Sequence, residues 1–315
     1  MTTALLIRNP VARHALDDAT LSRVIDVAVD AGWQIETSAT DREGRGTELA
    51  RDAAARGVDV VVVHGGDGTL NEAVNGLAGA STAVAILRGG TANVWAKETR
   101  TPKHAVKAMR AVVAGERRRV DLGVANGRYF LLMCGVGLDA AIVGRVGART
   151  KRRLGALAYI IAGVGAVFRI KAWRADVTID GATEPSLYWL LAGNTRSYGG
   201  MVNITHRAIA DDGLVDIALM RRGGVLRVIA DGVRMLLRRH ERSSNVRYAQ
   251  TRSLEITTPG IPIQLDGEAY GETPLRLEVA PLALNVIVPA GLRSPLFRGA
   301  TETRRHRDTE DIGEM

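Results

Sequence analysis

Val58-Asp59-Val60-Val61-Val62-Val63-His64-Gly65-Gly66-Asp67-Gly68-Thr69-Leu70 is the most informative stretch of this chain. Its run of valines has no polar face, so it predicts a central parallel strand covered by helices on both sides. The strand runs directly into glycines and then into a helical pattern from Leu70 to Leu77. A second unit follows, in which Ala83 to Leu87 runs into Gly89-Gly90-Thr91 before a short helix. Upstream, strand-like Ala4 to Ile7 and Trp33 to Thr37 alternate with helix-like Asp17 to Ala31 and Glu48 to Arg56. This alternation predicts βαβ units that carry both glycine turns to one edge of a parallel sheet.

The pattern changes after Arg117-Arg118-Arg119. Arg128 to Met133, Ala175 to Ile179, Leu187 to Leu191, Leu214 to Met220, Ser253 to Thr257 and Leu284 to Val288 read as strands. Few helices separate them, which predicts a mostly antiparallel, β-sandwich-like domain. Two helical candidates interrupt it, Leu154 to Phe168 and Val225 to Arg238, the latter with Val225, Ile229, Val233, Leu236 and Leu237 on one face. The expected organisation is an α/β domain over residues 1–125, a β-rich domain over 126–297 and a polar tail over 298–315.

The 315 residues are 46% hydrophobic and 24% charged, values of a folding globular chain. A net charge of +8 favours an anionic partner, and aromatic residues at 4% argue against the stacking platforms of single-strand nucleic-acid binders, so no nucleic acid is expected. Cys134 is the lone cysteine and excludes an internal disulfide framework; it reads as a small core residue. Leu154 to Phe168 falls short of the ~20 residues needed to span a bilayer. The expected setting is cytoplasmic, with peripheral association at the inner membrane face.

The chemistry concentrates in Gly65-Gly66-Asp67-Gly68-Thr69. Glycines after a buried strand let the backbone approach a polyphosphate or adopt φ > 0, and the helix N-terminus offers N–H groups to the anion. An aspartate among phosphates is repulsive unless it faces Mg²⁺ or the attacking hydroxyl. The six histidines show no metal-ligand spacing, and His64 is notable only for adjoining the turn. The basic runs at 117–119, 151–153 and 221–222 read either as solvated faces or, with the Leu154 to Phe168 segment, as a surface for anionic lipid.

Gly65 to Leu77 closely resembles the nucleotide loop of the diacylglycerol kinase catalytic-domain family, which includes sphingosine, ceramide and bacterial lipid kinases. Leu5-Leu6-Ile7-Arg8-Asn9-Pro10, Gly89-Gly90-Thr91-Ala92-Asn93, Asp211-Asp212-Gly213-Leu214-Val215-Asp216 and Gln264-Leu265-Asp266-Gly267-Glu268 resemble four further family motifs in the same order. The resemblance implies an ATP- and Mg²⁺-dependent lipid kinase, with the α/β domain over residues 1–125 binding ATP and the β-rich domain over 126–297 binding lipid. Asn9, Pro10, Val11, Ala12, Arg13, Thr40, Gly66, Asp67, Gly68, Thr69, Leu70, Asn71, Glu72 and Thr91 would line the ATP site. Asp212 with the carbonyls of Ile209 and Leu214 would hold a structural Mg²⁺, against a rival reading of Asp212-Gly213 as a plain turn. Glu268 would be the general base and Asp67 its catalytic partner at the phosphates.

Three departures stand out: Val11-Ala12-Arg13 replaces the family's Ser-Gly, Arg88 replaces a proline, and Val94 stands where many members have aspartate. Arg13 is nonetheless able to meet a phosphate. The implied partners are a lipid substrate at the membrane surface and anionic lipid, with a homodimer possible. The rival classes are a soluble NAD kinase-like enzyme, to which the first glycine loop alone applies, and a non-catalytic basic membrane-associated lipid-binding protein.

Overall fold

The structure is a computed structural model that describes residues 1–143, 173–200, 202–237, 239–240 and 243–298. The Leu154 to Phe168 segment, Lys151 to Arg153 and all but the first residue of the polar tail lie outside these residues.

Strands β1 (Thr3–Arg8), β2 (Gln34–Ala39), β3 (Val60–Gly65) and β4 (Ala83–Arg88) pair in the order β2-β1-β3-β4, all parallel. Strand β3 is buried on both faces for a simple reason: alternate side chains enter different cores. Val61 and Val63 pack with Ala50, Ala53, Leu70 and Val74 of helices α2 (Arg45–Ala55) and α3 (Asp67–Leu77). Val60 and Val62 pack with Val24, Ala28, Ala108 and Met109 of helices α1 (Asp18–Asp30) and α5 (Ala105–Val113). Helix α1 starts at an N-cap, Asp17, whose carboxylate accepts the Thr20 N–H at 2.7 Å. The short helix α4 (Val94–Glu98) follows the second glycine turn.

The second half forms a six-stranded antiparallel sheet in the order β12-β11-β10-β7-β14-β15. Its members are β7 (Met133–Gly137), β10 (Trp189–Gly193), β11 (Val215–Met220), β12 (Val246–Thr251), β14 (Pro262–Leu265) and β15 (Glu268–Glu272). A short helix, α6 (Leu138–Val143), follows β7. The sheet packs against β8 (Trp173–Ile179), β13 (Ser253–Ile256) and part of β16 (Leu275–Val288), with Val136, Leu190, Ile217 and Ile263 facing Val177, Leu254 and Leu277 across one core. The α/β and antiparallel-sandwich architecture expected from the sequence is present.

Four local readings change. Leu187 to Leu191 is two strands, β9 (Ala182–Leu187) and β10, divided at Tyr188, and Arg128 to Met133 divides into β6 (Arg128–Phe130) and β7. The arginines at 117–119 lie within a strand, β5 (Glu116–Ala125), with their guanidinium groups bound to the protein: Arg117 to Ser81 O, Arg118 to Glu116 and Arg119 to Leu282 O. Strand β16 is longer than Leu284 to Val288 and joins both halves: its start pairs with β13, its end pairs parallel with β4, and β5 runs antiparallel along it. Among the described residues no helix is long and apolar enough to cross a membrane.

Candidate active site

Adjacent parallel strands β3 and β4 deliver the two glycine turns side by side. The turns are glycine-rich because they touch. A Cβ on Gly90 would lie 2.4 Å from Gly66 Cα, and one on Gly89 would lie 3.1 Å from Gly65 Cα. The left-handed backbone allowed for in the sequence does not occur: none of Gly65, Gly66, Gly68, Gly89 or Gly90 has positive φ, and Gly66 is an extended N-cap to α3 at φ −93°, ψ −173°. The left-handed residue here is Asn93, at φ 46°, whose Oδ1 accepts the Gly90 N–H at 3.0 Å. Asp67 locks the pair together, its Oδ1 accepting the Val94 N–H at 2.8 Å.

The opening Asn-Pro turn is stitched to the same edge. Asn9 donates its N–H to His64 O at 2.9 Å and its Nδ2 to Thr69 Oγ1 at 3.1 Å, while its Oδ1 accepts the Val11 N–H at 3.0 Å. Pro10, Val11 and Arg13 are exposed beside it, Ala12 is half-buried, and Thr91 is exposed on the second turn. Thr40 is buried at the end of β2, and its N–H donates to Arg8 O at 2.9 Å. Leu70 is buried in the core below the turn. The side chains of Asn71 and Glu72 are taken up by protein contacts. Glu72 accepts the Gly44 and Gly46 N–H groups at 2.9 and 2.8 Å, which holds the N-terminus of α2. Asn71 Nδ2 donates to Asp266 Oδ2 at 2.8 Å, tying α3 to the second sheet.

A cavity of about 580 Å³ opens beside the second turn, lined by His14, His64, Arg88, Thr91, Lys97 and Lys103 among others. The N-terminal ends of α1 and α5 also border it, through Asp17 and His104. His64 is buried with the His14 backbone acting on its ring, and the buried Arg88 Nε has no hydrogen-bond partner. Burial pushes the His64 imidazole down to about 4, so it is neutral at physiological pH. An unsatisfied guanidinium N–H beside two lysines and two helix N-termini forms a lining that suits a phosphate-bearing ligand. Arg88, the departure from the family's proline, lines this cavity, with its Nη2 anchored on Ala96 O at 2.8 Å.

The other wall comes from the second sheet. Strands β14 and β15 are joined at Asp266 and Gly267, both left-handed (φ 49° and 85°), the signature of a two-residue hairpin turn with Asp-Gly at its centre. The Asp266 carboxylate is buried and accepts N–H groups from Leu131 (3.0 Å), Leu132 (2.9 Å) and Met133 (2.9 Å), as well as the Asn71 amide. Burial pushes its pKa up to about 6 against the pull of these donors. The anchored turn sets Glu268 directly over the first glycine turn: a Cβ on Gly68 would lie 2.3 Å from Glu268 Oε1. Arg128 approaches the same carboxylate at 3.8 Å.

Asp212 lies apart from this cleft. Its Oδ1 accepts the Leu214 N–H at 3.0 Å, as an Asp-Gly turn requires. Burial, with Asp121 and Asp211 nearby, raises its pKa, and burial beside Asp121 acts in the same direction on Asp211. The neighbouring carboxylates are engaged by backbone N–H groups, Asp121 by Gly213 and Leu282 at 2.6 and 2.7 Å and Asp211 by Arg298 at 3.0 Å. No group of three or more His, Cys, Asp or Glu side chains suited to a metal occurs among the described residues, so such a site would depend on carbonyl ligands. Cys134 is buried, and burial pushes its thiol pKa up, as a core residue requires.

Residues 3–125 match the family model of the diacylglycerol kinase catalytic domain, and residues 133–288 match that of the YegS C-terminal NAD kinase beta sandwich-like domain. A Pseudomonas syringae pv. syringae protein named "Probable lipid kinase YegS-like" is 32% identical over 290 residues, covering 87% of this chain and 90% of that protein. The chain belongs to the diacylglycerol kinase catalytic-domain family. A Bacillus subtilis diacylglycerol kinase is 28% identical over 279 residues, covering 87% of this chain and 92% of its own length. A solved diacylglycerol kinase structure from Bacillus anthracis str. Sterne has the same fold, with a TM-score of 0.73 and 22% identity over 92% of this chain and 98% of that one. For this lipid kinase family member, sequence reasoning missed His14, Lys97, Lys103 and His104. They lie in three separate stretches of the sequence, around 14, 97 and 103–104, and only the helix starts and the β4 turn bring them together.

Proposed function

We propose that this lipid kinase family member transfers the γ-phosphoryl group of ATP to a hydroxyl of a diacylglycerol-like lipid, in a Mg²⁺-dependent reaction. The observation that carries this reading is the placement of Glu268, from the second sheet, against Gly68 of the first glycine turn. A kinase needs its proton acceptor beside the phosphate-binding turn, because phosphoryl transfer is mainly positioning and charge neutralisation.

Bound ATP with Mg²⁺ supplies the transferable phosphoryl group and its counter-charge. The ATP site uses Asn9 to Arg13, Thr40, Gly66 to Glu72 and Thr91, with the N–H groups of the first turn of α3 offered to phosphate oxygens. His14, Lys97 and Lys103 add basic groups from the adjoining cavity. Asn71 and Glu72 contribute by holding α3 against its neighbours. Glu268 accepts the proton of the lipid hydroxyl as its oxygen bonds to phosphorus and the bond to the departing ADP oxygen breaks. Asp67 orients the reacting groups from between the two turns. The second Mg²⁺ site, at Asp212 with the Ile209 and Leu214 carbonyls, stiffens the β domain. The enzyme works at the inner face of the membrane, where its substrate lies.

The test is incubation with γ-labelled ATP, Mg²⁺ and a panel of diacylglycerol, monoacylglycerol, phosphatidylglycerol and sphingoid bases. Label in the organic phase is expected, and it should be absent with Glu268→Gln. Label on no lipid would overturn the proposal.

A further inference from the structure

Helix α7 (Val225–Leu236) is turned inside out relative to an ordinary surface helix. It is held to the body by Val228, Asp231 and Met235, three positions that share one face. Asp231 is fully buried there, accepting from Ser243 Oγ at 2.7 Å and Asn245 Nδ2 at 2.9 Å. The opposite face is apolar and open. Leu226, Ile229, Val233 and Leu237 are 85%, 57%, 51% and 58% exposed. Half of the large hydrophobic residues exposed among the described residues lie on this single stripe, the others being Met1, Val11, Val29 and Leu282. So contiguous an apolar face marks an interaction site rather than scattered surface.

Charge indicates what covers it. Arg222 and Arg227 are exposed on and beside the helix, whereas the one acid between Arg222 and Leu237, Asp231, is withdrawn into the protein, where Arg234 Nη1 pairs with its Oδ1 at 2.7 Å. An apolar stripe flanked by arginines, with no exposed carboxylate, complements an anionic bilayer surface, where Leu and Ile enter the acyl boundary and Arg meets the headgroups. A second copy of this chain would bring the same arginines against each other. Through Val228 and Met235 the helix joins the apolar cluster that includes Val94 and Trp95, next to the second glycine turn, so docking would fix the catalytic core relative to the membrane.

We infer that the outward face of α7 is the membrane-docking element of this protein and that it takes anionic phospholipid. The inference rests on the lipid-kinase reading only for its effect on activity; the binding itself is independent of catalysis.

The experiment compares the parent protein with Leu226→Ser/Ile229→Ser and with Arg222→Gln/Arg227→Gln, by sedimentation with phosphatidylglycerol/phosphatidylcholine vesicles and with phosphatidylcholine alone. The parent should bind the anionic vesicles and be released by raised salt. The serine variant should partition at least tenfold more weakly, as loss of two inserting aliphatic side chains requires, and the glutamine variant should lose its preference for anionic vesicles. A fluorophore on Leu226→Cys should shift to the blue on anionic vesicles; Cys134 is buried and does not compete for the label. Both variants should keep the parent's kcat on a short-chain lipid dispersed as monomers. Equal vesicle binding by parent and serine variant, or a parent dimer that the serine variant dissociates while no form binds vesicles, would overturn the assignment. Failure of the parent to phosphorylate any lipid would refute the kinase reading, while vesicle binding would still decide the docking.

Discussion

Gly68→Ala tests the assembled site through a single methyl group. The new Cβ would lie 2.3 Å from Glu268 Oε1 and 3.4 Å from its Cδ, with no other atom beyond the helix's own backbone within 4 Å. Ordinary contact begins near 3.4 Å, so the carboxylate must retreat by about 1 Å, and a displacement of that size at a reacting group costs on the order of 10²-fold in rate. Folding should not suffer, because Glu268 is the end of a flexible side chain and alanine inside helix α3 is favoured over glycine by up to about 1 kcal/mol. The assay is kcat with a competent lipid alongside thermal unfolding, for Gly68→Ala, Glu268→Gln and the double variant. Once Glu268 has been displaced, its replacement should cost little more, so the double variant should fall well short of the product of the single losses. A kcat within about threefold of the parent, far from the ~10²-fold expected, would show that the proton does not pass to Glu268 in this position. Gly90→Ala supplies the contrast: its Cβ would meet Gly66 Cα at 2.4 Å, backbone that cannot yield, so that variant should lose stability.

Other expectations follow from the same geometry. Glu268→Gln should lower kcat by roughly 10²–10⁴-fold and abolish the decline of kcat/KM toward acid pH that a base requiring ionisation imposes, with ATP affinity by calorimetry nearly unchanged. Asp67→Asn keeps an acceptor for the Val94 N–H and should stay folded while losing at least about 10²-fold in kcat; retention of a tenth of the parent rate would remove Asp67 from the reaction. Asp266 has its pKa raised on folding from 3.8 to about 6, so its contribution to stability is present below about pH 4 and lost as pH rises through 6. Asp266→Asn should therefore flatten the stability profile over that range, measured by denaturant unfolding, and should lower stability at neutral pH by about 1–3 kcal/mol by turning an amide N–H toward buried N–H donors. Lys97→Gln with Lys103→Gln should weaken ATP binding and reduce its salt dependence; unchanged affinity would detach the cavity from the nucleotide.

Elements whose cause is local can be read directly from the residues. The valines of β3 demand burial on both faces, Asp17 caps α1, and the sequence Gly65 to Thr69 marks a tight turn from strand into helix, because these effects reach only a few residues along the chain. Even there, the reason for the glycines lies elsewhere. Close approach of Gly66 to Gly90 is a contact between strands, and a dihedral argument from sequence cannot distinguish it from a left-handed turn.

What tertiary structure alone decided is how distant pieces meet. Asp266 and Asn71 are 195 residues apart, yet their hydrogen bond joins the second sheet to the helix of the first glycine turn and sets Glu268 over Gly68. Strand β16 enters the parallel sheet from the other end of the chain, and His14, Lys97 and Lys103 surround one cavity although nothing in their sequence neighbourhoods relates them. The periodicity of α7 revealed an apolar face in sequence, but the same pattern describes a helix packed on a core. Only the burial of Asp231 beneath it shows which face turns outward, because the side of a helix that meets the protein depends on partners supplied from outside it, here Ser243 and Asn245, which join Arg234 of the helix on that carboxylate.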